Sequence, residues 1–257
     1  MKNLIKLMGI IAIVAVIVFA FVACPEPEEE GDPTSFGDKL EFTNEQVYVL
    51  EQKREGDKIT FEFKPYTGDG IAFDSVFGAT PKIVDGKFSF SVGVPPVGDL
   101  SSDLDLGQLD YSYYEPSPYT NVKANDPTVK SVSISSFSSS RKTGSYDRII
   151  YSLRRENYDY GNITVSGSGE NMTATGSATT ESVLFVYVDK DVTITGKGST
   201  SGGTIYNDIN LSLSAGWNTV CTKMEMSISA TSYSSTYTMS VSNPSSAKWV
   251  LYDNSND

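Results

Sequence analysis

The chain of 257 residues contains no histidine. That absence excludes Ser-His-Asp and Cys-His catalysis, histidine-ligated zinc and imidazole acid–base chemistry. Cysteine is nearly as scarce, with only Cys24 and Cys221. Basic residues are few: 20 Lys and Arg stand against 32 Asp and Glu, a net charge of −12. Such a balance argues against nucleic acid and against anionic lipid surfaces as partners. Metal-ligand spacing is also missing. Asp99, Asp103 and Asp105 are followed by Leu106 and Gly107 with no closing Glu, so the calcium-loop pattern fails. No residue pattern calls for a cofactor.

Long apolar runs are rare too, and the one that exists is placed with purpose. Lys2 and Lys6 precede an apolar stretch over residues 7–23, which stops at Cys24. A basic start, a long apolar middle and small residues at the end make an export signal. The same run is close to the roughly 18 residues at which a spanning helix becomes feasible, so an uncleaved anchor is the alternative. Either way, everything after Cys24 lies beyond the inner membrane. The tetrapeptide Phe21-Val22-Ala23-Cys24 resembles the lipobox of bacterial lipoprotein precursors. The resemblance implies that residues 1–24 act as a lipoprotein signal peptide and that Cys24 becomes a lipidated N-terminus. The partner is then a membrane, held through acyl chains, in the outer membrane or at the cell surface, or on its periplasmic side. With Cys24 so used, Cys221 is left as a single thiol on an apolar strand, where burial is the ordinary fate.

Without residues 1–24 the chain carries 32 acids against 18 bases, net −14. Residues 25–128 hold 21 acids and 8 bases, whereas residues 129–257 hold 11 and 10. This asymmetry favours two segments with different surfaces. Residues 25–39, rich in Pro, Gly and Glu, read as a solvated tether. Residues 40–95 read as a small antiparallel β segment. Val47 and Val49 alternate with Tyr48 and Leu50, and Ile59, Phe61 and Phe63 alternate with Thr60 and Glu62, around a polar turn at residues 53–57. Asp85-Gly86 between two apolar alternations is the strongest hairpin signal in the chain. Residues 96–128 form a connection rich in Pro, Tyr and Asp, with no sustained period.

Residues 129–257 are dense in Ser, Thr and Tyr, with short strands every 8–12 residues and no helical pattern. The fold class expected is all-β, an antiparallel β-sandwich or jelly roll. Residues 183–188 are continuously apolar, and Asp189-Lys190-Asp191 reads as a turn back into Val192 to Thr195. A long strand follows the Ala215-Gly216 turn, with Val220, Thr222, Met224, Met226 and Ile228 on one face. Arg141, Lys142, Arg148, Arg154 and Arg155 read as solvated hairpin edges guarded against pairing, with polyanion binding as the sharper alternative. The stretches FVYVDKDVTITG (residues 185–196) and LSLSAGWNTV (residues 211–220) look similar to uncharacterised β-rich surface lipoproteins of spirochaetes and gut anaerobes. The resemblance implies a fold and an envelope setting, and carries over no catalytic residue.

These features favour a non-enzymatic envelope lipoprotein that binds an extracellular ligand, a glycan or host protein, or builds the cell surface. Candidate ligand platforms are the loop tyrosines Tyr113, Tyr114 and Tyr119 and the two tryptophans, Trp217 and Trp249. Packing of the tyrosines onto the sheet and of the tryptophans into the core is the competing assignment. Two other functional classes remain: a glycoside hydrolase working through two carboxylates, which needs no histidine, and an accessory subunit of an outer-membrane assembly.

Overall fold

A computed structural model describes residues 34–56, 58–68, 70–101, 119–143, 146–160, 163–166 and 173–254. Residues 1–33, with the signal stretch, Cys24 and most of the tether, fall outside it, as do residues 102–118. Among the described residues the chain is all-β, with a single 3-10 turn at Val97–Asp99 and no α-helix. In chain order the first strands are β1 (Ser35–Gly37), β2 (Leu40–Glu55), β3 (Lys58–Pro65), β4 (Ile71–Ala72), β5 (Lys82–Val84), β6 (Lys87–Val92), β7 (Tyr119–Ala124), β8 (Ser131–Ile134) and β9 (Phe137–Thr143). They are followed by β10 (Tyr146–Asp159), β11 (Thr164–Ser166), β12 (Thr173–Val188), β13 (Val192–Gly198), β14 (Thr200–Ser201), β15 (Thr204–Tyr206), β16 (Ile209–Leu213), β17 (Gly216–Ile228), β18 (Tyr233–Ser240) and β19 (Lys248–Asp253).

The central sheet runs β18-β17-β12-β10-β19, continuing through β2 into β6, β5 and β4. β2 is where it turns a corner. Its first half pairs with β6, and the register slips between Phe42 and Glu45, where Asn44 takes a positive φ of 57°. Its second half pairs with β3 on one edge and β19 on the other. A bulge of this kind bends a strand out of one sheet into another. The bend lets Phe42 and Phe88 face Phe185 and Trp249 across a common core. The β5–β6 hairpin turns at Asp85 and Gly86, both at positive φ (48° and 70°), as the Asp-Gly signal predicts.

Residues 183–188 explain why the body has a third layer. Val183, Phe185 and Tyr187 belong to the core shared with β2 and β6, while Leu184, Val186 and Val188 belong to a second core on the opposite face. Alternate side chains of a strand point to opposite faces, so a continuous apolar run needs cover on both. The second cover is a separate sheet, β16-β13-β7, which contributes Tyr119, Val192, Ile194, Ile209, Leu211 and Leu213.

Two sequence expectations change here. The Asp189–Asp191 turn does not fold β13 back onto β12 as a hairpin. That end of β12 already has both edges filled, by β17 and β8, so β13 crosses into the third sheet. Nor are residues 40–95 and 129–257 held apart. The last strand, β19, pairs in parallel with β2 through Trp249–Val47 and Val250–Tyr48, and both segments supply one core. β1, placed within the tether by composition, pairs with β17, and β7, placed within the connection, is an edge strand. The charge asymmetry therefore marks surfaces of one interleaved body.

Candidate functional site

The described residues proposed as ligand platforms, Tyr119, Trp217 and Trp249, do not converge on one surface. Trp217 follows Gly216, whose φ of 102° and close approach to the Gly37 carbonyl leave no room for a Cβ. Its indole is fully buried, donates from Nε1 to the Gly93 carbonyl at 3.0 Å, and sits edge-on to Tyr187. Trp249 is 2% exposed, with Phe42, Phe88 and Phe185 rings 4.5 to 5.8 Å from its own. Both are core residues, which corrects their assignment to sugar stacking: neither offers a face to solvent. Tyr119 is buried in the other core, edge-on to Tyr206 at 5.7 Å. Tyr113 and Tyr114 lie outside the described residues.

Arginine placement also departs from expectation. Arg155 is 5% exposed, with its guanidinium 5.9 Å from the Trp249 ring, and so is no solvated edge residue. Arg154 lies against Tyr252 and reaches Glu156 at 3.8 Å. Arg154 belongs to a feature that sequence reasoning missed, a buried carboxylate cluster on the face opposite Arg155. Tyr158 and Tyr252 each place their hydroxyl 2.6 Å from Glu156 Oε2 and 2.6 Å from each other. Burial raises both phenols well above their ordinary pKa, and the Glu156 carboxylate adds to the effect. Tyr160, stacked on Tyr158, is pushed up for the same reasons. The β2–β3 hairpin helps to cover them, with the Phe61 ring tilted 31° against Tyr160 at 4.0 Å, and Lys248 lies over Tyr48 and Phe63. Its exposed side carries cross-strand ion pairs, Lys53 with Glu62 and Lys64 with Glu51.

A second buried carboxylate, Glu181, accepts hydrogen bonds from Asn157 Nδ2 and Ser246 Oγ, each at 2.9 Å. The register pairs Asn157 with Glu181 and Glu156 with Ser182. Neighbours along a strand point to opposite faces, so Glu156 and Glu181 lie on opposite sides of the sheet. They cannot flank one glycosidic bond. Among the described residues no group of three or more metal-ligating side chains is assembled, and no helix is long and apolar enough to cross a membrane.

Cys221 is fully buried on β17, between Val183 of β12 and Ser240 of β18. The burial expected for it is present. The solitary thiol is not, because Cys221 is disulfide-bonded.

No protein-family model matches the chain, and neither a curated protein nor a solved structure is detectably similar to it.

Proposed function

We propose that this chain is a lipid-anchored, non-enzymatic protein of the cell envelope, and that its β body is a rigid scaffold displayed close to the membrane. The observation that carries the reading is the Lys2-to-Cys24 stretch followed, ten residues later, by Thr34, the first described residue, whose carbonyl accepts from Thr219 N at 2.9 Å. Ten residues span about 31 Å in polyproline form and at most about 36 Å fully extended. Acyl chains on Cys24 would therefore hold the body within a few nanometres of the bilayer. Each buried CH₂ adds about 0.8 kcal/mol, so several chains anchor firmly where one does not. The ligand, a glycan or a host protein, would be met on the outer surface, with Tyr113 and Tyr114 as remaining aromatic candidates. The two buried carboxylates, Glu156 and Glu181, do not form a hydrolytic pair, since they lie on opposite faces of the sheet.

The chain has one other cysteine besides Cys221, and a lipid thioether at Cys24 and a disulfide joining it to Cys221 would need the same sulfur. Both fates belong beyond the inner membrane, since disulfides persist in oxidising compartments. Peptide mapping without reduction separates them. A Cys24–Cys221 linked peptide refutes lipidation, while acylated Cys24 at the mature N-terminus supports it. Cys24→Ala should move the protein out of the membrane fraction and abolish incorporation of a labelled fatty acid; unchanged fractionation and labelling would sink the proposal. Pull-down of residues 31–257 against envelope extracts and glycans tests for the ligand and for an assembly partner.

A further inference from the structure

The most exposed large apolar residues among the described ones are Val97 and Val94, at 71% and 53%. They share one short loop, residues 93–98, of sequence Gly-Val-Pro-Pro-Val-Gly. Exposed valines scattered singly need no explanation. Two of them, flanking a proline pair, on a loop held rigid from both sides, are a different matter. Pro95 is buried, and Trp217 Nε1 holds the Gly93 carbonyl. Asp99 N closes a 3-10 turn onto the Pro96 carbonyl at 2.9 Å, and Ser101 is bridged to Ser131. Among the described residues the loop thus presents its valines on a backbone held at both ends.

Its position matters as much as its composition. Val92 pairs with Leu40, so the loop leaves β6 beside the segment that joins β1 to β2. Gly93 approaches the Asp38 carbonyl, and Gly37 lies against Gly216 at the start of β17. The valines therefore sit at the end of the body where the chain arriving from Cys24 enters the fold, within a tether's reach of the bilayer. We propose that the tip of loop 93–98, Val94 with Pro96 and Val97, enters the interface of the bilayer that holds the lipid anchor, fixing the orientation of the scaffold. This rests on the anchor proposed above. A short tether gives an effective concentration in the millimolar range, so a contact too weak to bind a soluble protein to lipid becomes populated. The depth is shallow, about 5–10 Å, as for other interfacial apolar segments. Asp38, Asp99 and Asp189 lie at or near this end, and Lys39 is taken up by Glu41 at 2.7 Å. The favoured surface is accordingly zwitterionic.

The test uses the full lipidated protein in phosphatidylcholine vesicles whose acyl chains are brominated close to the headgroup. Val97→Trp places a reporter on the tip. Val84→Trp places one at the end of β5, paired with Lys87 at the far end of β6 from the loop, about 20 Å away, where Val84 is 46% exposed. The native tryptophans, buried in the core, contribute little quenching. The result expected is loss of emission with a blue shift for Val97→Trp, and neither for Val84→Trp or the parent protein. Adding phosphatidylglycerol should weaken the quenching. An unquenched Val97→Trp on a protein carrying lipid at Cys24 overturns the inference and leaves the anchor standing. Equal quenching of both variants, or quenching that grows with anionic lipid, also overturns it. Absence of lipid on Cys24 removes the anchor and this contact together.

Discussion

Raising the pH should unfold this protein through its buried tyrosines. Tyr158, Tyr160, Tyr237 and Tyr252 all have pKa values raised in the folded state, with burial as the largest cause in each. A folded pKa above the unfolded one means that the stability is complete below the unfolded value, about 10 for a phenol. It is lost as pH climbs from there towards the folded value. In that window the unfolded chain releases up to four protons that the native state retains. Each proton is worth about 1.4 kcal/mol per pH unit, so stability should fall by up to about 5.5 kcal/mol per unit. Against a typical stability of about 5–15 kcal/mol, unfolding follows within about one to three units above pH 10. The assay pairs tyrosinate absorbance with emission from the buried Trp217 and Trp249. Four of the chain's 15 tyrosines should ionise only as tryptophan emission changes, in a single cooperative step. Replacing both Tyr158 and Tyr252 with Phe should reduce the slope by about half, to about 2.7 kcal/mol per unit. The same change leaves Glu156 Oε2 without two hydroxyl donors, at about 1.5–3 kcal/mol each at neutral pH. Smooth tyrosinate formation from about pH 10 with unchanged tryptophan emission would refute the argument.

Three further outcomes follow from the packing and the turns. Trp249→Ala should cost about 3–5 kcal/mol by opening a cavity among Phe42, Phe88 and Phe185, read by denaturant unfolding. Gly216→Ala forces a side chain into a positive-φ position against the Gly37 carbonyl, so β1 should lift from β17 and expose residues 34–39 to protease. At low pH, the Asp126 carboxylate, held down to about 2 by Lys190 and then Thr128, is a group whose pairing favours the fold above its unfolded pKa and is lost as pH falls through about 2. Asp126→Asn should therefore flatten the acid limb of the stability profile without shifting its alkaline limb.

Much of the strand pattern was legible in the sequence because the information is local. Asp85-Gly86 needs only its own backbone to favour the turn that joins β5 and β6, and Val220, Met224 and Met226 reveal their shared face by alternation. The buried carboxylate was not legible. Glu156 and Tyr158 are two residues apart on β10, but Tyr252 arrives from the far end of the chain, and nothing local marks the three as partners. The arginines misled for a similar reason: charge in a sequence suggests solvent, and only the register beside Trp249 shows that Arg155 is inside. The tryptophans were ambiguous by nature, since the same ring suits a core and a sugar site. Their surroundings, contributed by β2, β6 and β12, settle which it is.

By itself, then, the sequence determined the all-β character, the main hairpins, and the exclusion of histidine chemistry, because composition and period-two alternation act within a few residues. Tertiary structure alone decided that β2 bends between two sheets, that β13 leaves β12 for a third layer, and that the last strand closes against the second. Those outcomes depend on which strand edges are already occupied and which apolar faces still need cover, and such competition exists only once the whole chain is folded.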